Sequence, residues 1–551
     1  MIYESARHLS FQFALRNSFS VQEDTMNSLS FSKANCSGAN CPGTPEEILQ
    51  SVFGYERFRP MQREAIQNIL EGRDTLAVMP TGGGKSLCYE IPALMFSGIT
   101  VIVSPLIALM QDQAEQLAAY GIPAACLNSS TDWNTYRSLC KAISCGKIKL
   151  LYVSPEGLGT QRIRSLLKNA QVSVDCITID EAHCISEWGH DFRPDYLEIA
   201  SIRAEFPRAV FLALTATATK HVQADIVKNL RMEHPEILVA SFNRPNLFLQ
   251  AEKKTRPVEQ VLSFLEHHRG QSGIIYCFSR KQVDELTLKL TSSGIKALSY
   301  HAGLSSSQRA QNQRAFISDK ADIMVATVAF GMGINKPDVR FVIHFDMPKS
   351  IEQYYQEIGR AGRDGLQAEA LLLFGAGDLH KIRYFFSESA DASKAELLLQ
   401  EMLKYAEGSA CRRKTLLSYF GEPYSSARTD AVPSKCCCDV CASAGTTPKP
   451  SAGRRQPGFR SFPKKQEASL FVSSSEEDSA AKAIENALRL WRRKAADELN
   501  VPPYVIFGDK TLFDIARKKP ASIQELVSCY GIGEIKAEKF GYYILRIVKE
   551  A

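Results

Sequence analysis

Ten short apolar runs, five on each side of residue 243, constrain this chain more than any other feature. TLAVM (75–79), TVIVS (100–104), KLLYVS (149–154), CITID (176–180) and VFLALT (210–215) alternate with longer amphipathic stretches. SGIIYC (272–277), KALSYH (296–301), DIMVAT (322–327), FVIHF (341–345) and AEALLLF (368–374) repeat the alternation. Runs this short and apolar suit strands buried on both faces, and their alternation with helical stretches implies a parallel sheet clad in helices. The chain is therefore expected to be α/β, with two consecutive parallel-sheet domains over residues 44–242 and 243–375.

The remainder reads differently. Residues 376–441 carry helical periodicity and end in a cysteine cluster, while 477–551 regain that periodicity as a small all-α domain. Between them, 442–476 is rich in Pro, Gly, Ser and basic residues, the composition of a flexible linker. Between Ala442 and Ser475, six Lys or Arg against Glu467 give +5 of the chain's net +6. Residues 1–43 read as a disordered extension, with Met26 as an alternative start. Arg7 and Arg16 among several Ser leave a transit peptide open, but no apolar signal region follows.

With 45% hydrophobic and 23% charged residues the composition is that of an ordinary soluble protein, and no run of eighteen apolar residues suggests a membrane span. Most of the fifteen Cys are scattered singly through apolar segments, so a reducing compartment is expected rather than a disulfide framework.

The chemistry concentrates in a few motifs. MPTGGGKS places a glycine-rich turn between a strand and a helix, as a phosphate-binding loop requires. Thr81, Gly82, Gly83 and Gly84 let the backbone approach phosphate oxygens, Lys85 reaches the terminal phosphates, and Ser86 can ligate Mg²⁺. Met79 stands where the common pattern has its first Gly. CITIDEAH ends a buried strand in two carboxylates: Asp180 to hold Mg²⁺, and Glu181 to orient and deprotonate a water. A solvated turn is the alternative for the acids alone; the phosphate loop upstream argues against it. In QEIGRAGRDG, Gln356, Arg360 and Arg363 can stabilise a departing phosphoryl group; the two Arg share one helical face if that segment is helical.

Together these motifs resemble superfamily 2 helicases, and within them the RecQ family of DNA helicases. FGYERFRPMQREAI, SPLIALMQDQ, DEAH, LTATAT, IIYCFSRKQVDEL, ATVAFGMGINKPDVRFVIHFDMP and QEIGRAGRDG follow in the family's order, from about Phe53 to Phe420. The resemblance implies two tandem RecA-like domains, ATP and Mg²⁺ as cofactors, and adenine recognition by Tyr55, Arg59 and Gln62. It also implies single-stranded and tailed or forked duplex DNA as partners, and 3′ to 5′ movement along one strand in recombination, repair and fork maintenance. By analogy a single-strand-binding protein and a topoisomerase are further partners. The location implied is cytoplasmic in a bacterium and nuclear in a eukaryote.

SEWGHDFRP, directly after the acids, resembles the family's aromatic-rich loop. Trp188 and Phe192 offer faces for bases, His190 lies between them, and Arg193 can pair with phosphate. DNA docking there is expected to shift Glu181 and switch on hydrolysis. Thr215, Thr217, Ser279, Arg280, His301, Gly303 and Thr327 sit at positions resembling strand-contact or coupling motifs.

Cys411, Cys438 and Cys441 resemble the family's Zn²⁺ ligands, and four thiolates in tetrahedral array make a closed structural site. Where the family usually supplies the fourth, this chain has Lys435; Cys436 is the expected replacement and Cys437 its rival. NVPPYVIFGDKTLFDIA and GIGEIKAEKFG resemble the HRDC module (helicase and RNase D C-terminal), with Tyr504 and Lys510 as contact residues. The winged-helix domain that many members carry after the zinc module has no counterpart here. RRQPGFRSFPKK, with Phe459 and Phe462, is either a solvated tether or a substitute grip on DNA. An RNA helicase of the same superfamily is a rival reading, which the aromatic loop, zinc module and HRDC-like end oppose. A DNA-stimulated translocase or strand-annealing scaffold with little unwinding is the other.

Overall fold

The computed structural model describes residues 43–128, 131–189, 191–331, 336–386, 392–424, 437–444, 475–499 and 501–550. The N-terminal extension, His190, Cys436 and most of the basic linker, including Phe459 and Phe462, lie outside them. Among the described residues no helix is long and apolar enough to cross a membrane.

The first sheet has seven strands: β1 (Thr75–Val78), β2 (Ile99–Val103), β3 (Ala124–Leu127), β4 (Leu150–Val153), β5 (Val174–Ile179), β6 (Val210–Thr215) and β7 (Glu236–Val239), in the order β3-β4-β2-β5-β6-β1-β7. The second has six: β8 (Leu247–Lys253), β9 (Ser272–Tyr276), β10 (Ala297–Tyr300), β11 (Ile323–Ala326), β12 (Val339–His344) and β13 (Ala368–Phe374), in the order β10-β11-β9-β12-β13-β8. Every pairing is parallel. All ten apolar runs are strands. Central ones such as β1, β2 and β6 are buried at every position, because helices cover both faces.

Three strands lack a matching run: β3, β7 and β8. All lie at sheet edges, and their burial alternates or fades along their length. An edge strand needs fewer apolar residues, so a search for continuous runs passes over it.

Parallel pairing places all C-terminal strand ends of a sheet along one rim. Val78 pairs with Thr215 and Val103 with Ile179, so the loops after β1, β2, β5 and β6 are neighbours.

After β13 come helices Ala376–Phe386, Ala392–Glu407, Arg412–Tyr419 and Asp439–Ala444. Their apolar side chains join one continuous core with both sheets. The last unit packs helices Ser475–Glu498, Pro503–Ile506, Asp509–Lys518, Ile523–Val527 and Glu534–Glu550 around a core of its own. It meets the second sheet domain through ion pairs Lys320–Asp497 (3.2 Å) and Arg493–Asp319 (3.8 Å).

Candidate nucleotide site, strand-sensing loop and metal centre

The loop after β1 needs its three glycines for distinct reasons. Gly82 and Gly84 have φ of +80°, where a Cβ is strained. At Gly83 a Cβ would lie 2.9 Å from the Pro80 carbonyl oxygen. Gln62 donates to the carbonyl of Gly84 (2.9 Å) and accepts from the Arg59 amide (2.7 Å), while Arg59 donates to the Gly82 carbonyl. The adenine-motif residues expected from sequence are thus tied to the phosphate loop. Tyr55 is 54% exposed, which leaves its ring open for stacking.

Asp180 follows β5, and Lys85 is close enough to oppose the rise in its pKa. Burial first, then Glu181, lift the Asp180 carboxyl to about 6. Glu181 occupies the left-handed region at φ +49°, rare for a residue with a side chain and characteristic of functional turns. Its Oε2 lies 3.3 Å from Nδ1 of His183, and that nitrogen is 2.9 Å from Thr215 Oγ1. Thr217 donates its amide to Thr215 Oγ1 (3.2 Å), and Gln356, from the other domain, donates to Thr217 Oγ1 (3.2 Å). A polar line therefore runs from Glu181 across the cleft. Its Thr members were expected at strand-contact or coupling positions, and Gln356 beside the departing phosphoryl group. His183 was not singled out, although it is the final letter of DEAH.

The two arginines depart from expectation. The helix carrying Gln356 ends at Ile358, and Arg360 and Arg363 lie in the turn beyond it, with Gly362 at φ +60°. They do not share a helical face: the glycines on either side of Arg360 end the helix first. Arg363 lays its aliphatic stem on the phosphate loop, where a Cβ at Gly82 would meet its Cγ at 3.2 Å. Arg360 packs instead toward Gly331 and Tyr276. Burial, then the neighbouring Arg360 and Arg244, pull the Arg363 pKa down to about 9.

Arg244, from the segment joining the domains, was missed. It donates to the carbonyls of Thr81 (3.4 Å), Gly359 (3.3 Å), Ala361 (2.8 Å) and Gly362 (3.1 Å), stitching the phosphate loop to the arginine turn. An Arg followed by Pro between two sheet domains was the only sequence signal for it.

The aromatic-rich loop is anchored to this machinery. Ser186 donates to Asp225 (2.6 Å) and accepts from the Trp188 amide (3.1 Å). A Cβ at Gly189 would collide with the His183 carbonyl oxygen, so the loop rests on the acidic turn itself. Trp188 is 47% exposed, 4.9 Å from the His221 ring. Phe192 is half-buried. Arg193 is held by Asp191 (3.0 Å) rather than presented freely to phosphate.

Other expected strand contacts divide. Ser279 caps helix Arg280–Ser292 through the Gln282 amide, and Arg280 beside it is exposed. His301 is buried, with Nε2 on Asp284 (3.0 Å) and Nδ1 accepting from the Gly303 amide (3.1 Å); both nitrogens are occupied internally. Thr327 begins the turn after β11. Lys510 sits 4.0 Å over the exposed Tyr530 ring, but Tyr504 faces the motor: burial, then Asp338 and Asp112, push its hydroxyl up to about 12 against Arg363.

The sulfurs of Cys411, Cys437, Cys438 and Cys441 lie within 4.8 Å of one another, with pairs at 3.5, 3.8 and 3.9 Å. Four thiolates about 2.3 Å from a tetrahedral Zn²⁺ are separated by about 3.8 Å, so the set fits the ion. Cys437, the rival, fills the fourth place among the described residues, where Cys436 was expected.

Comparison with known proteins agrees with this geometry. Residues 59–226 match the DEAD/DEAH box helicase family, 253–365 the helicase conserved C-terminal domain, 376–442 the RecQ zinc-binding family and 481–548 the HRDC domain. "ATP-dependent DNA helicase RecQ" of Pasteurella multocida is 37% identical over 92% of this chain and 94% of its own. The chain belongs to the RecQ family. The RecQ helicase of Bacillus subtilis is 35% identical over 92% of this chain and 98% of its own. A solved DUF1998 helicase, MrfA, bound to DNA and AMPPNP, shares the fold at 19% identity, over 66% of this chain and 56% of its own, with a TM-score of 0.52. In this RecQ chain the zinc-binding match ends at 442 and the HRDC match begins at 481. That interval is too short for a further domain of about 100 residues.

Proposed function

We propose that this protein is an ATP-dependent DNA helicase that moves 3′ to 5′ along one strand and separates duplex DNA in recombination, repair and fork maintenance. One observation carries the reading: the polar line from Glu181 through His183, Thr215 and Thr217 to Gln356, with the aromatic-rich loop resting on His183.

ATP enters with its base on Tyr55 and its phosphates on the amides of Gly82–Gly84. Lys85 neutralises the terminal phosphates, and Glu181 orients the attacking water and accepts its proton. Asp180 and Ser86 are the side chains for Mg²⁺, which supplies charge neutralisation on the phosphates when bound. Arg363 already lies on the phosphate loop from the second domain, so closing the cleft presses its guanidinium toward the γ-phosphate. Arg360 turns in only as the domains close. A strand on Trp188 and Phe192 moves Gly189 against His183 and thereby Glu181, which makes hydrolysis depend on DNA. Cys411, Cys437, Cys438 and Cys441 hold Zn²⁺ as a structural ion.

The test sets a 3′-tailed duplex beside a 5′-tailed one, with ATP hydrolysis followed with and without single-stranded DNA. Separation of the 3′-tailed substrate alone, with DNA-stimulated hydrolysis, is expected. The short interval between the zinc module and the HRDC domain favours one second reading, a translocase without a strand-separating wedge. Stimulated hydrolysis with no separation would establish it.

A further inference from the structure

Trp133 and Tyr136 open the helix Trp133–Ser144, which follows edge strand β3. Their rings are parallel within 7°, with centroids 6.0 Å apart. The guanidinium of Arg162, from the first turn of Gln161–Lys168, the second helix after β4, lies 3.6 Å from the Tyr136 centroid and 4.9 Å from that of Trp133. Trp133 nevertheless remains 63% exposed. A Trp left this open forgoes the burial that normally justifies so large an apolar ring, so the fold itself has little use for it.

We propose that Trp133, Tyr136 and Arg162 form a second stacking platform for single-stranded DNA, extending the strand's path beyond the aromatic-rich loop. The inference rests on the helicase reading above.

Position supports it first. The strands are parallel, so the loops after β3, β4, β2 and β5 line one rim in that order. At about 4.8 Å per strand, the platform lies about 10–14 Å along the rim from the aromatic-rich loop, which follows β5. A strand held on Trp188 reaches it within a few nucleotides. Charge supports it next. Arg137, one turn along the helix from Trp133, and Arg162, in the first turn of Gln161–Lys168, are both exposed at this end of the sheet. Arg164 and Lys168 are engaged by Glu205, which leaves Arg137 and Arg162 to meet phosphates. Chemistry supports it last: aromatic faces beside guanidinium and ammonium groups bind single strands without regard to sequence, bases on rings and phosphates on cations.

The three Trp of the chain make the test direct. The full-length protein is labelled with 5-fluorotryptophan, and W133F identifies one ¹⁹F resonance. Adding a twenty-nucleotide oligo-dT is expected to shift that resonance as well as the one from Trp188. W133A is expected to weaken oligo-dT binding about five- to fiftyfold, with most of the affinity retained in W133F. A Trp133 resonance unmoved at saturating DNA, while that of Trp188 moves, overturns the platform and leaves the helicase intact. If DNA moves neither resonance and does not stimulate hydrolysis, the helicase reading itself fails and the platform with it.

Discussion

The zinc module and the C-terminal bundle are both small helical appendages, yet they join the motor by opposite means. The zinc module is desolvated against it. Cys438 bridges to Leu249 of edge strand β8, and Arg413 donates to the Leu247 carbonyl (2.6 Å). Asp439 accepts from the Ala251 amide (3.0 Å), and Phe420 stacks on Phe242 at 4.3 Å. The bundle keeps its own core and reaches over with polar groups: the exposed pair Lys320–Asp497, Arg493 on the buried Asp319, and the Tyr504 hydroxyl among Asp338, Asp112 and Arg363. Apolar burial and backbone pairing make an appendage part of the motor, whereas a junction of polar groups leaves it more separable.

The largest effect expected is from loss of the metal. Stripping Zn²⁺, or substituting Cys438→Ser, should remove several kcal/mol of stability and collapse the motor's thermal transition, because β8 loses its edge partner. Metal analysis beside calorimetry checks this, and a C438S protein whose motor melts unchanged would erase the distinction. Next, Arg412, buried with its guanidinium on Asp439 (2.6 Å), should lose about 3 kcal/mol on substitution by Met, read from urea unfolding. Cys437→Ser should abolish zinc retention, separating Cys437 from Cys436 as the fourth ligand by metal content.

Removing residues 475–551 should move the motor's unfolding free energy by no more than about 1 kcal/mol; a larger fall would make the bundle integral after all. Smallest of all, K320E should loosen the bundle by less than about 1 kcal/mol. D497K should restore the contact, and moderate salt should mimic the loss. Hydrogen exchange along helix Ser475–Glu498 reports it.

Much of this was legible in the chain. The central strands announce themselves because burial on both faces demands unbroken apolar runs, and the phosphate loop because its backbone tolerates only glycine. Gln356, Thr215 and Thr217 were legible by their place in ordered motifs. His183 and Arg244 were not, because their roles arise from partners far along the chain: Thr215 for the first, and Thr81 and Gly359 for the second. The turn at Arg360 and Arg363 escaped for a local reason, since three-residue spacing is equally consistent with a helix and with a glycine-bounded turn. Of the adjacent pair, Cys436 was placed before Cys437 on spacing alone, and ligand spacing does not set which way a side chain points.

Arg244, Arg360 and Arg363 crowd one cleft, and burial with mutual repulsion already pulls the last of them down to about 9. That cleft thus gathers like charge at the place where a polyphosphate would sit. Any polyphosphate seated there relieves a repulsion that folding had to accept, whether or not a bond is cut. Occupancy alone therefore stiffens the machine, and ADP or pyrophosphate should raise its melting temperature.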